Sequence, residues 1–165
     1  MRQPQERIGL GGGCHWCTEA VFQALAGVSS VTQGFIASAP PDDSYSEAVD
    51  LMFDPQVLPL EALLEVHLRT HASQSNHKMR GKYRSAVYVH SDAQAMVVAT
   101  ALAGLQEGFE APLVTRVLPF RAFIPSEPRY QDYAARYRGG PFCERYIDPK
   151  LDMLRKEYVA LLRSA

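Results

Sequence analysis

Three consecutive glycines, Gly11 to Gly13, separate a short apolar run ending at Leu10 from the segment CHWCTEAVFQAL, residues 14–25. Ile8 to Leu10 reads as a strand, the glycines as a tight junction, and the stretch from Cys14 to Ala26 as a helix stopped by Gly27. Such a strand-turn-helix leaves few folds open and sets two cysteines one helical turn apart. On a helical wheel Cys14 and Cys17 share the stripe of Val21, Leu25 and Val28, so both thiols point toward the core side. Cys14 falls in the first turn, where unpaired N–H groups and the positive end of the helix dipole favour a thiolate. The glycines keep side chains away from its sulfur, which makes Cys14 a candidate nucleophile. Cys17 reads either as a small buried apolar residue or as a second reactive thiol.

The elements that follow fix the fold class. VSSVTQGFIAS and YSEAVDLMFDP read as strands around the loop ASAPPDDS, and LPLEALLEVHLRTH carries apolar residues at helical spacing. A strand at YRSAVYVHS, a helix at DAQAMVVATALAGLQEGF and one strand through PLVTRVLPFRAFIP come next, then helices at EPRYQDYAARY and DPKLDMLRKEYVALLRS. This order predicts an α+β protein, a mostly antiparallel sheet flanked by helices with a ferredoxin-like split βαβ core. A length of 165 residues with 47% apolar content suits one domain over residues 1–165.

Charge and cysteine usage narrow the function. The net charge of -1 with scattered basic residues argues against nucleic-acid or anionic-membrane binding. No apolar run in the N-terminal MRQPQERIGLGGG is long enough for a leader, and no stretch is long enough to span a membrane, so a cytoplasmic protein is expected. Three cysteines make a poor disulfide framework and point to chemistry or metal. A structural zinc would need two ligands beyond Cys14 and Cys17; His15, His71, His77 and Cys143 are available, yet no second paired pattern appears. Thr18 after Cys17 removes haem attachment. Within YSEAVDLMF, alternation sets Tyr45, Glu47, Val49, Leu51 and Phe53 on one face, which desolvates Glu47 and favours a protonated carboxyl able to act as an acid.

These residues resemble the peptide methionine sulfoxide reductase A family. GGGCHWCTEAVFQALAGVSSVTQGF is similar to its catalytic opening, SEAVDLMFDPQVLPLEALLEVHLRTH to its Glu-containing strand and following helix, and KYRSAVYVHS to its Tyr-Arg-Ser strand. FIPSEPRYQDYAARY and GGPFCERYIDPKLDMLRKEY resemble its C-terminal segment. The resemblance implies thiol-dependent reduction of a sulfoxide, methionine (S)-sulfoxide free or in proteins, through a cysteine sulfenic acid and an intramolecular disulfide. It makes Cys14 the nucleophile, Glu47 the general acid, Trp16 a wall against the substrate methyl group, Tyr83 a hydrogen-bond donor to the oxygen and Cys143 the resolving thiol. No cofactor or metal is implied, and the expected partners are the sulfoxide and a thioredoxin-like reductant acting on a monomer. The chain departs from the pattern at His15, where the family has phenylalanine, at Cys17, where it commonly has glycine, and at Phe142, where tyrosine is frequent. A basic residue, Lys78 or a neighbour, takes the place of an aspartate, and Tyr45 stands in for a missing tyrosine. Two rivals keep other chemistry: a thiol-disulfide or small-sulfoxide reductase on the same fold, and a zinc-stabilised binding domain.

Overall fold

The computed structural model describes residues 5–164; residues 1–4, at the start of the stretch read above for a leader, lie outside them. Strand β1 (Glu6–Gly11) leads through the glycines into helix α1 (His15–Gln23), followed by β2 (Val28–Ala37), β3 (Ser46–Phe53), α2 (Leu60–Arg69) and β4 (Ala86–Val89). The four strands lie in the order β4, β1, β3, β2 and every neighbouring pair is antiparallel. That is the split βαβ arrangement, with β3 inserted between the strands that α1 connects.

Helix α3 (Asp92–Leu105) precedes β5 (Arg116–Pro119) and β6 (Ala122–Pro125). The sequence reads one strand through this region, but there are two, on opposite edges of the sheet: β5 pairs parallel with β4, and β6 antiparallel with β2. Phe120 and Arg121 bridge them, donating backbone N–H groups to Val89 O at 2.9 Å and Ala37 O at 3.1 Å. The sheet therefore curls until its edges nearly meet, and Ile36, Ala48, Ala86, Tyr88, Phe120 and Phe123 fill the inside of the curl.

The opposite face carries the main core. Ile8, Leu10, Val49, Leu51, Phe53 and Val87 pack against Phe22, Leu25, Leu63, Leu64 and Leu102, which follows from period-2 burial on the strands meeting helical stripes. Burying side chains of this size contributes roughly 1.5–3 kcal/mol each. The chain then closes with α4 (Tyr133–Arg136), a π-helical turn at Cys143–Ile147 and α5 (Asp148–Glu157). These last elements pack on α1, bringing the C-terminal segment back to the first cysteines.

Candidate active site

The glycine junction aims Cys14 at the end of α1. Gly11 and Gly12 are required by close packing: a Cβ on Gly11 would stand 2.9 Å from Arg84 O, and one on Gly12 would run into the His71 ring. Gly13 alone faces open space, so the room expected beside the sulfur is confined to that position. His67, fully enclosed, holds the run from beneath through Nε2 at 2.8 Å from Gly11 O, and Arg80 donates to Gly12 O at 2.9 Å. Burial pushes the His67 pKa down to about 4, which keeps the ring neutral.

Cys14 is the residue before the first helical turn rather than part of it. It has extended backbone angles, and its carbonyl accepts from Cys17 N and Thr18 N, each at 3.1 Å. Its sulfur meets the hydrogen-bond donors that stabilise an anion. The Cys17 thiol donates to it, the His15 side chain and the N–H groups of Trp16 and Cys17 add to this, and together they outweigh desolvation and hold the Cys14 pKa well below the ordinary thiol value. Cys17 is shifted the other way, by its role as donor and by burial, and stays a thiol.

Glu47 lies on the helix-facing side of β3, opposite Phe35 of β2. It is 6% exposed, and Oε1 accepts from the His15 backbone N–H at 3.3 Å. His15 Nδ1 is also 3.3 Å from Oε1, and Lys82 Nζ is 3.7 Å from Oε2. Lys82 rather than Lys78 is therefore the cation beside the acid. Backbone pairing explains its position: Lys82 O accepts from Glu47 N at 2.9 Å and from Ser46 Oγ at 2.9 Å. The same strap carries Tyr83, whose ring lies 5.1 Å from Lys82 Nζ. Tyr45 stands just outside β3 and is half exposed, because the strand begins at Ser46.

Trp16 is surrounded by aromatic rings. Tyr133 lies flat on its indole with centroids 4.0 Å apart, Tyr130 is 5.8 Å away, and Phe142 meets it edge-on at 5.2 Å. Neither tyrosine stands out in the sequence. Both are held by Glu19 and Gln33, which are fully buried. Glu19 accepts from the backbone N–H groups of Asp132 at 2.9 Å and Tyr133 at 3.1 Å, and from Gln33 Nε2 at 3.0 Å. A glutamate at the second turn of an amphipathic helix reads as surface; no local signal reveals a partner more than a hundred residues away.

Cys143 opens the π-helical turn that precedes α5. It is 2% exposed, anchored among Cys17, Ala20 and Ile147, with Cys14 and Phe142 at the edge of the same cluster. Burial raises its pKa. Of the zinc ligands weighed from the sequence, His71 and His77 are engaged elsewhere: His71 by His67 O and Ser85 Oγ, and His77 as the cap of the turn at Lys78–Gly81. Among the described residues the potential ligand atoms that converge are those of Cys14, His15 and Glu47.

The comparisons agree with one another. A family described as peptide methionine sulfoxide reductase matches residues 6–161. A "Peptide methionine sulfoxide reductase MsrA" of Thermus thermophilus is 36% identical, covering 97% of this chain and 99% of its own. One of Polynucleobacter asymbioticus is 33% identical over 95% and 91%. Among solved structures, methionine sulfoxide reductase A of Corynebacterium diphtheriae matches with TM-score 0.67 at 20% identity, covering 82% of this chain and 76% of that one. Mxr1 from Saccharomyces cerevisiae in complex with Trx2 matches with TM-score 0.59 at 20% identity, over 81% and 89%.

Proposed function

We propose, from the fact that this chain belongs to the peptide methionine sulfoxide reductase family, that it reduces methionine (S)-sulfoxide, free or in proteins, with Cys14 as nucleophile and Glu47 as acid. The convergence of these two groups carries the reading: one ligand-type atom each from Cys14, His15 and Glu47 lies within 4.8 Å of the others. The Cys14 thiolate attacks the sulfoxide sulfur, Glu47 delivers a proton to the departing oxygen, and the oxygen ends on Cys14. The products are the sulfide and a cysteine sulfenic acid, so the substrate sulfur gains the two electrons that Cys14 loses. Tyr83 steadies the oxygen, while His15 and Trp16 line the substrate.

Cys17 already donates its S–H toward Cys14, which supports it as the first resolving thiol. Its sulfur attacks Cys14, expels water and forms a disulfide. Cys143, in the same buried cluster, then exchanges onto Cys17. A cleft of about 720 Å³ lined by Ala20, Cys143, Asp148 and Arg155 gives a thioredoxin-like reductant its approach. No helix among the described residues is long and apolar enough to cross a membrane. We place the reaction in the cytoplasm and assign it to a monomer of one domain.

Replacing Glu47 by Gln tests the acid. Sulfoxide turnover is expected to fall about 10²- to 10⁴-fold, while exchange with a disulfide substrate, which has no oxygen to protonate, persists. Unchanged sulfoxide turnover would instead favour the thiol-disulfide reading.

A further inference from the structure

We infer that Cys14, His15 and Glu47 form a binding site for a divalent cation of the zinc class, and that occupancy reversibly blocks the nucleophile. His15 Nδ1 and Glu47 Oε1 are 3.3 Å apart. Two ligand atoms each about 2.0–2.1 Å from a tetrahedral ion stand about 3.3–3.4 Å from one another, so this pair is already at the spacing of a shared metal. The Cys14 sulfur belongs to the same cluster. Three protein ligands are enough for a site with one open position.

The hydrogen bonding of His15 points the same way. The residue is 6% exposed, and its Nδ1 is buried without a hydrogen-bond partner despite its closeness to the carboxylate. On the other side of the ring Nε2 lies 3.4 Å from Ser126 Oγ. The ring has two tautomers: with the proton on Nδ1 it can donate toward the Cys14 sulfur, and with the proton on Nε2, donated to Ser126, the Nδ1 lone pair faces Glu47 and Cys14, which is the form that a metal requires. An orphaned buried nitrogen is costly, and a cation would satisfy it. Lys82, whose side chain is 59% exposed, stands beside the other carboxylate oxygen, Oε2, and Oε1 accepts one hydrogen bond, from His15 N–H, and keeps a second lone pair for the ion.

The donor set selects the cation. One thiolate, one imidazole and one carboxylate suit zinc and its neighbours, whereas calcium and magnesium call for oxygen throughout. An ion on Cys14 holds the electron pair that would attack sulfur, and an ion on Glu47 replaces the proton that would leave with oxygen. This consequence rests on the reductase reading; the binding does not. His15 is the residue that distinguishes the site, since a phenylalanine there supplies no ligand.

The test is anaerobic titration of the reduced full chain with Co²⁺, followed by Zn²⁺ competition. One equivalent of Co²⁺ is expected to give a sulfur-to-metal charge-transfer band together with the visible bands of tetrahedral cobalt, both removed by Zn²⁺. His15→Phe and Glu47→Gln should each weaken binding by more than the about 10- to 100-fold typical of losing an outer-shell partner. Circular dichroism verifies the fold of each variant, and the isosteric Glu47→Gln keeps the test open if His15→Phe does not fold. Zn²⁺ should also slow alkylation of Cys14. Absence of the charge-transfer band, or equal affinity in a folded variant, overturns the site. If cobalt binds as described but the metal-free protein turns over no sulfoxide, the reductase reading fails and the site stands. If the metal-free protein is active and no band forms, the metal proposal alone fails.

Discussion

Cys14 and Cys17 are one helical turn apart, yet they meet opposite surroundings. Cys14 caps α1 at its N-terminal end, close to Glu47, and hydrogen bonds from the Cys17 thiol, the His15 side chain and the N–H groups of Trp16 and Cys17 hold it as a thiolate. Cys17 sits in the apolar cluster with Ala20, Cys143 and Ile147, offers its S–H to Cys14 and keeps its proton. Sequence spacing makes the two thiols equivalent, and the environment separates them. On the proposed mechanism this difference divides the labour: the charged sulfur attacks, and the protonated one waits until its neighbour is oxidised.

Removing the attacking sulfur gives the largest effect expected. Cys14→Ser should reduce sulfoxide turnover to background while the melting temperature stays near that of the wild type. Cys17→Ala breaks the comparison from the other side. One equivalent of sulfide should still form, a trappable sulfenic acid should persist, and the pH at which Cys14 begins to alkylate should move up, because the variant loses the S–H donor that lowers its pKa. A limb that stays in place would mean that the helix end alone stabilises the thiolate.

The supports of the two sides can be broken separately. On the polar side, His67 carries the glycine run and is neutral when folded, with its pKa depressed to about 4 from 6.5. A depressed pKa gives stability that is present above the unfolded value and lost as pH falls toward the folded one. The wild type should therefore lose on the order of 3 kcal/mol more than His67→Gln between those limits in denaturant melts followed against pH. On the apolar side, Glu19 fastens the segment that bears Tyr133 and leads to Cys143. Glu19→Gln keeps the volume but replaces one acceptor oxygen with a donor facing an N–H group. A loss of about 1–3 kcal/mol is expected, together with faster alkylation of Cys143.

These supports also show what a sequence can disclose. The strand-glycine-helix junction, the four antiparallel strands and the burial of Glu47 are legible because each follows from local periodicity or from a glycine where a side chain would clash. The two edge strands are not, because the residues that separate them, Phe120 and Arg121, continue an apolar alternating run and turn only where the curled sheet brings Val89 and Ala37 within reach. Glu19 and Gln33 are equally hidden. Their partners at 130–133 come from a distant segment, and a polar side chain that satisfies another segment's backbone leaves no periodic trace. Lys82 is placed by the pairing of its own carbonyl with β3, whereas alignment by resemblance pointed four residues earlier.

The account is tested most directly by a single turnover of the reduced protein on methionine sulfoxide without external reductant, with thiols counted and the first disulfide mapped by peptide analysis. It predicts one equivalent of sulfide, the loss of two thiols and an initial bond between Cys14 and Cys17. Sulfide formed without loss of thiols, or a first disulfide that excludes Cys14, would contradict it.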